Sequence, residues 1–501
     1  MTVIYEINTL VWLGELSVRY GRRVTLGEVP GEVWDEVARP GVDTVWLMGV
    51  WERSPAGLGI ALQDDRLLAS FRDALPDLAP ADIAGSPYCV RNYVVDASLG
   101  GPGGLAAARA ELAARGVRLI LDYVPNHVAP DHPWLTERPG CLVGGTRDDL
   151  ARAPQDFLDA GGQVYARGRD PFFPPWPDVV QLNAFSDDLR TAAVDTLAAI
   201  GDQADGVRCD MAMLLMNDIF AKTWGDRAGP VPAEDFWPYV IPRVRARHPG
   251  LLFVAEAYWD LEWDLQQQGF DHCYDKRLYD RLVHEDAGSV RDHLGADPAY
   301  QRRLVRFLEN HDEPRAAVTL AGGRERAAAV AVATLPGATL WHEGQFEGRR
   351  VRPPVFLSRR PEEPADASLR EFYDRLVAAV APLREGDWQL LACTGWPDND
   401  THRNLLAWSW TAGQERYLVV INYSDRPAHG QVPLPWTDLR GKPCSLTGLL
   451  TEDTYEREGD GLLDPGLFVA LDAWQWHLLS LRLSTGRLNA GPVASPDRST
   501  R

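Results

Sequence analysis

A barrel of eight β/α units, interrupted by an insertion after its third strand and followed by an antiparallel β domain, is the fold this sequence predicts. Three observations carry that expectation. Up to about residue 385, short apolar runs alternate with helix-like segments, the pattern of repeated βα units. Four clusters of charged residues each close an apolar run: DYVPNH at 122–127, GVRCDMA at 206–212, FVAEAYW at 253–259 and FLENHDEPR at 307–315. Parallel α/β folds keep their chemistry at the C-terminal ends of strands, so the clusters belong at one mouth. After about residue 386 the helical periodicity stops and alternating apolar runs replace it.

Taken in order, the strand candidates of the barrel are IYEINTL, VDTVWLMGV, VRLILDYV, ADGVRCDMA, LLFVAEA, FDHCYDK, LVRFLEN and ATLWHEGQ, eight in all. Helices separate them; the segment 103–116, GGLAAARAELAARG, is Ala-rich and ends on Gly, which are helix and stop signals. One connection breaks the rhythm. Residues 128–184 are long and rich in Pro, Gly and aromatics (GRDPFFPPWPDVVQLN), where a plain barrel needs only a short loop, so a lid over the mouth is expected. An insertion with no part in ligand binding is the alternative. Beyond the barrel, DWQLLACTGW, NLLAWSWTAG, RYLVVINYS and LFVALDAWQWHLLSLRL predict a β-sandwich over 386–484, and 485–501 reads as a disordered tail. The expected organisation is a barrel domain over 1–385, including 128–184, and the β domain behind it.

With 501 residues the chain suits two domains, and core material is ample. A formal net charge of −20 disfavours a polyanionic partner such as nucleic acid, which a basic surface would have to hold, and fits a neutral small molecule better, so no nucleic-acid partner is expected. The first residues, MTVIYEINTLVWL, lack a basic region followed by a long apolar stretch. No run approaches the roughly eighteen apolar residues of a membrane span, so a soluble cytoplasmic protein without a membrane partner is expected. The six cysteines show no CxxC or Cys/His spacing and read as buried thiols rather than as a zinc site or disulfide framework.

Side chains alternate along a strand, so Arg208 and Asp210 point one way and Cys209 the other. A guanidinium beside a carboxylate keeps the acid ionised and oriented, as a nucleophile requires. Glu256, set among FVA, Tyr258 and Trp259, is in a desolvating environment that raises a carboxyl pKa and suits a general acid. Asp312 follows His311 at a third strand end, with Glu309, Glu313 and Arg315 nearby. Each acid alone reads as a cap or surface charge; together they are mutually repelling groups kept at one mouth, where chemistry needs them.

DYVPNH, GVRCD, AEAYW and ENHDEPR, in this order and at about this spacing, resemble the four short regions shared by the alpha-amylase family of glycoside hydrolases. VDTVWLMGV, TLPGATLWHEGQ and WPDVVQLN resemble flanking stretches of that family, and the likeness spans roughly residues 4–385. It implies a retaining glycosidase acting on a small α-glucoside or α-gluco-oligosaccharide through a covalent glycosyl-enzyme. Asp210 would be nucleophile, Glu256 acid/base and Asp312 the carboxylate that binds hydroxyls and stabilises the transition state. By the same match Arg208 would hold Asp210, Asp122, His127 and His311 would bond sugar hydroxyls, Tyr88 would stack on the ring, and Arg315 would belong to the substrate-binding set of small-substrate members. A transglycosylase, or an isomerase or phosphorylase of the same family, stays open, as does a non-catalytic sugar-binding homologue.

Two departures qualify the likeness. Where many starch-cleaving members carry Lys and His after the nucleophile, this chain has Met213 and Leu214, which disfavours endo-cleavage of long α-1,4-glucans. The early segment RRVTLGEVPGEVWDEV lacks the run of oxygen ligands that holds calcium in some members, so no cofactor and no required metal are expected, with Asn126 the lone side chain suited to ligation. Of the 18 Trp, those at 46, 51, 134, 176 and 259 lie near strand ends or in the insertion and are the candidates for sugar platforms.

Overall fold

The computed structural model describes residues 2–484; the expected tail at 485–501 lies outside them. Eight parallel strands close a barrel: β1 (Val3–Asn8), β2 (Thr44–Met48), β3 (Arg118–Tyr123), β4 (Gly206–Cys209), β5 (Leu252–Ala255), β6 (His272–Tyr274), β7 (Leu304–Arg306) and β8 (Ala338–His342). They are paired in chain order, β8 returning to β1 with Val3 opposite Thr339. All eight apolar runs form strands as expected. Such strands are covered by helices outside and by packed side chains inside, so they read as continuous apolar segments; β1 and β2 are buried at every position.

Local signals set the helices around them. In α1 (Thr9–Tyr20) the Asn8 side chain accepts from the Val11 amide at 3.4 Å, and Gly21 ends the helix at φ 62°. The Ala-rich segment forms α2 (Gly101–Ala114), with Pro102 in the first turn. Ser186 caps α3 (Asp187–Gly201), which leads into β4.

The insertion is built from short pieces. A hairpin pairs Phe157–Ala160 with Gln163–Ala166, and His127–Val128 pairs antiparallel with Val180–Gln181. That second pairing ties both ends of the segment to the end of β3. Gln181 Nε2 reinforces it by donating to the Asn126 carbonyl and to Asn126 Oδ1, each at 2.9 Å.

The described residues divide into two compact units. One runs through His284 and adds Ala296–Glu325 and Leu335–Ala378; the other comprises Glu285–Gly295, Arg326–Thr334 and the chain from Ala379 onward. In the second unit a six-stranded antiparallel sheet has the order β9 (Asp387–Leu391), β10 (Leu405–Ala412), β11 (Glu415–Asn422), β16 (Trp476–Leu483), β13 (Pro443–Gly448), β14 (Thr454–Glu458), and a two-stranded sheet joins β12 (Ala428–Val432) to β15 (Leu467–Leu471). Residues of both sheets, among them Leu418, Val420, Leu446, Leu479, Val432 and Val469, share one apolar core. The run 467–483 is two strands rather than one, because the backbone turns between Leu471 and Trp476, with Gln475 N donating to Asp472 O at 3.2 Å.

No helix among the described residues is long and apolar enough to cross a membrane. All six cysteines are free thiols.

Candidate active site

Ladder bonds continue one residue past the ends of β4 and β5 and fix the two central acids. The Asp210 amide donates to the Tyr123 carbonyl at 2.9 Å and the Glu256 amide to the Cys209 carbonyl at 3.0 Å. Directly after Asp210 the chain enters the left-handed region at Met211, φ 42°. A side chain is strained there by about 1–3 kcal/mol, and the turn directs the Met211 amide to Glu256 Oε2 at 2.7 Å. Local strain and the position of a carboxylate are thereby coupled.

Arg208 is the hub of the cluster. Its Nη1 lies 2.7 Å from Asp210 Oδ1 and 3.7 Å from Asp122 Oδ1, and its Nη2 lies 2.7 Å from Glu256 Oε2. The rings of Trp46, Tyr88 and Tyr274 surround the guanidinium carbon at 5.2, 5.3 and 5.9 Å from their centroids. One cation thus faces three carboxylates in a buried setting, and it cannot fully compensate all of them. Burial pushes Glu256 up to about 7 against the pull of Arg208. Burial also raises Asp210 and Asp122 above the ordinary carboxylate range, again against Arg208. Tyr258 donates to the other oxygen of Glu256 at 3.0 Å.

A second chain of contacts begins at Glu6 in β1. Its Oε1 lies 2.5 Å from His311 Nδ1, while His311 Nε2 lies 2.8 Å from the Tyr88 hydroxyl and 3.0 Å from Asp312 Oδ2. The Tyr88 and His311 rings stack with centroids 5.4 Å apart, and Trp46 meets His311 edge-on. Burial disfavours charge on His311, but the flanking carboxylates of Asp312 and Glu6 outweigh it and hold its pKa well above the usual value. Burial would raise Asp312, yet the adjacent His311 charge keeps it well below the ordinary carboxylate range. Glu6 fixes this arrangement and was absent from the sequence-derived set. Its signal was a single acid inside VIYEIN, two residues before Asn8 and so on the same face of β1.

These groups open on a cavity of about 340 Å³ lined by Tyr88, His127, Asp210, Glu256 and Asp312 together with Ser86, Trp176, Asp178, Val179, Met211, Tyr258 and Phe356. The insertion contributes Trp176, Asp178 and Val179 to the lining. Trp176 packs on His127 with centroids 5.2 Å apart, and burial depresses His127 to about 4, leaving a neutral imidazole. Asp122 and Arg208 lie directly behind the lining, where Asp122 Oδ2 accepts from the Gly49 amide at 3.0 Å.

Four residues of the expected set do not line the cavity: Asp122, Arg208 and His311 are bonded into the cluster around it, whereas Arg315 is bonded elsewhere. Arg315 is buried, with Nη1 bonded to Glu309 Oε1 at 2.5 Å, His342 Nδ1 at 2.9 Å and the Glu343 carbonyl at 2.8 Å. The substrate-binding expectation for Arg315 is corrected accordingly: its charge is spent inside the protein on Glu309. Met213 and Leu214 sit buried in a short 3-10 turn over Ala212–Leu215, and the neighbouring Met211 reaches the cavity instead. Of the five Trp candidates, Trp176 lines the cavity and Trp46 supports Arg208 and His311. Trp51 is buried and pins the Asp122 carbonyl at 2.7 Å, Trp134 packs on His132, and Trp259 meets Phe172 edge-on at the surface.

The oxygen of Asn126 is engaged by Gln181, and among the described residues no group of three or more His, Cys, Asp and Glu side chains is arranged to hold a metal ion.

Fold and site together define a (β/α)8 barrel with an acid cluster organised by one arginine at the C-terminal ends of its strands. No protein-family profile matches the chain. It is 24% identical over 446 residues to alpha-amylase MalA of Haloarcula japonica, an alignment covering 86% of this chain and 57% of that protein. The chain therefore spans somewhat over half the length of that relative. An alpha-1,4-glucan:maltose-1-phosphate maltosyltransferase of Burkholderia pseudomallei is 27% identical over 208 residues, which cover 39% of this chain and 15% of the transferase. Among solved structures, the maltogenic alpha-amylase AmyB of Thermotoga neapolitana superposes with a TM-score of 0.67 at 17% identity, covering 96% of this chain and 98% of that one. The likeness to alpha-amylases extends over most of the chain in sequence and in fold.

Proposed function

We propose that this protein is a retaining glycoside hydrolase that acts on small α-glucosides or short α-gluco-oligosaccharides through a covalent glycosyl-enzyme. The observation that carries the reading is Arg208 bridging Asp210 and Glu256 with one nitrogen each at 2.7 Å, both acids lining one cavity with Asp312. Asp210 attacks the anomeric carbon, and Arg208 keeps its attacking carboxylate ionised and aimed. Glu256, pushed up to about 7, carries a proton near neutral pH and delivers it to the departing oxygen; as a carboxylate it then takes a proton from the incoming water. Asp312, held ionised by His311, accepts hydrogen bonds from sugar hydroxyls and stabilises positive charge developing on the ring. Tyr88 offers its ring to the sugar; His127, as a neutral imidazole, can hydrogen-bond a hydroxyl. Asp122 orients Arg208 from behind the lining.

Transfer to a sugar acceptor shares the same intermediate and is the second reading, favoured by the sequence likeness to a maltosyltransferase. The domain reading completes the proposal: the catalytic part is the barrel over 1–385, the β domain over 386–484 is accessory, and the protein works in the cytoplasm. Time-resolved NMR of products from maltose, isomaltose, trehalose, sucrose and short maltooligosaccharides tests the mechanism. Release of the α-anomer first is expected; β-anomer first would overturn retention.

A further inference from the structure

Each nitrogen of the His311 ring faces a carboxylate. Glu6 Oε1 lies 2.5 Å from Nδ1, and Asp312 Oδ2 lies 3.0 Å from Nε2, which also meets the Tyr88 hydroxyl at 2.8 Å. An ionised carboxylate can only accept hydrogen bonds, whereas a neutral imidazole has one N–H and one lone pair. A neutral His311 would therefore turn its lone pair on one of the two acids; a doubly protonated ring donates to both. Glu6 adds a second reason. It is 0% exposed, its Oε2 is buried without a donor among the described residues, and the donor to its Oε1 is His311. A carboxylate so enclosed is costly unless its partner carries the opposite charge.

The other charges nearby do not take over that task. Asp122 in β3 acts on His311, Arg208 in β4 acts on Glu6 and Asp312, His342 in β8 acts on Glu6, and Arg352 acts on Asp312, while Trp46 of β2 meets the ring edge-on. Arg208 is already shared by Asp122, Asp210 and Glu256, so the hydrogen-bonded cation of Glu6 is His311. Burial would raise Glu6, yet His311 and His342 hold its carboxyl below the ordinary range. Glu6 and His311 stay behind the cavity lining. The Asp312 side chain, 46% exposed, is the member of this chain that reaches the cavity together with Tyr88.

Resting on the proposed glycosidase reading, we infer that Glu6 is a positioning residue for the reaction: its negative charge keeps His311 doubly protonated, and the imidazolium fixes Asp312 Oδ2, so that Asp312 meets the sugar in one orientation. Glu6 touches no substrate and acts through His311. The neutral tautomer that Glu6 selects has its proton on Nδ1, which turns a lone pair on Asp312 and repels it. With both protons in place the bond to Asp312 is charge-assisted, roughly twice as strong as a neutral one. The sugar-binding carboxylate is then held by an ion pair that persists across the working pH range.

Nitrogen NMR of the full chain labelled with nitrogen-15 histidine reads the ring directly, with the His311 signals assigned by their loss in H311Q. In the native protein both ring nitrogens are expected to stay protonated from about pH 6 to about pH 9, whereas in E6Q, which keeps the shape and loses the charge, the midpoint should move down by about 1–3 pH units, the effect of one adjacent charge, into that range. Kinetics on an activated aryl α-glucoside, which needs little help from the Glu256 proton, complete the test. E6Q should lose roughly 10-fold in kcat/KM and fall further as His311 titrates, a step the native profile lacks. E6D, which keeps the charge and loses a methylene, should hold the His311 proton and retain more activity than E6Q; a packing role would rank the two variants the other way. A native His311 that is neutral at pH 7 would overturn the inference without any variant, so the test survives a variant that does not fold. Identical His311 titration in native protein and E6Q would overturn it too, as would a native-like E6Q profile. Inactivity of the native protein on every α-glucoside removes the glycosidase reading, and with it the role toward a sugar, while the NMR still reports the charge on His311. Activity combined with a neutral His311 removes the inference alone.

Discussion

Two fully buried arginines of one barrel, Arg208 in β4 and Arg315 in the segment after β7, make a direct comparison. Both are about 1% exposed and both meet carboxylates at hydrogen-bond distance. Around Arg315 the set closes: Glu309 accepts from the guanidinium at 2.5 Å and from the Ala316 amide at 2.7 Å, and the same guanidinium nitrogen also reaches His342 and the Glu343 carbonyl. Burial would raise Glu309, but Arg315 and His342 outweigh it and hold it below the ordinary range. Around Arg208 the set stays open. One cation is shared by Asp122, Asp210 and Glu256, two of those acids line a cavity, and Glu256 is left with a proton near neutrality. The difference teaches that a buried arginine and acid pair is structural when its hydrogen bonds are complete, and chemical when an excess of carboxylate faces a cavity.

Substitutions should separate the two clusters. The largest effect belongs to Asp210→Asn, which should lower turnover on the order of 10⁴-fold, as loss of an essential charged catalytic group commonly does, with an unchanged thermal midpoint. Near-native turnover would remove the nucleophile assignment. Glu256→Gln should cost about 10²- to 10⁴-fold on substrates with poor leaving groups and much less on activated aryl glycosides, because acid assistance scales with leaving-group basicity. Equal losses on both would exclude Glu256 as the acid.

Arg315→Met should act on stability instead. It strands the buried Glu309 carboxylate and is expected to cost about 3–5 kcal/mol in denaturant unfolding, while kcat/KM per folded molecule stays near native. A comparable loss of kcat/KM without loss of stability would return Arg315 to the substrate-binding set. The smallest change is in pH dependence. Glu256 must enter the first step protonated, so kcat/KM should fall as pH rises through about 7, the value to which burial pushes it. A profile that stays flat to pH 9 would show that another group controls the proton.

Several parts of this site were legible from sequence because they depend on local rules. Parallel barrel strands are buried on both faces, so all eight appear as apolar runs, and strand alternation alone puts Arg208 and Asp210 on one face. The acids at 210 and 256 could be named because each directly follows a strand, and Asp312 because it lies in the charged cluster that follows β7. Glu6 was not read as a partner of His311, since the two are 305 residues apart in sequence and meet only when the barrel closes. WPDVVQLN was legible only as a stretch resembling the family; that Trp176, Asp178 and Val179 within it line the cavity depends on how the insertion folds. The short strands β12, β13 and β14 went unread because their runs are brief and interrupted by polar residues, as in AHGQV and TYERE.

What the sequence by itself determined is therefore the order of strands, the faces of their side chains and the identity of the acids, all consequences of periodicity within a few residues. Tertiary structure decided which charges share a neighbour. Arg208 and Arg315 each lie close to acids in sequence, and nothing local separates them. The closure of the barrel places one beside a cavity with more carboxylates than it can neutralise, and surrounds the other with partners that satisfy it.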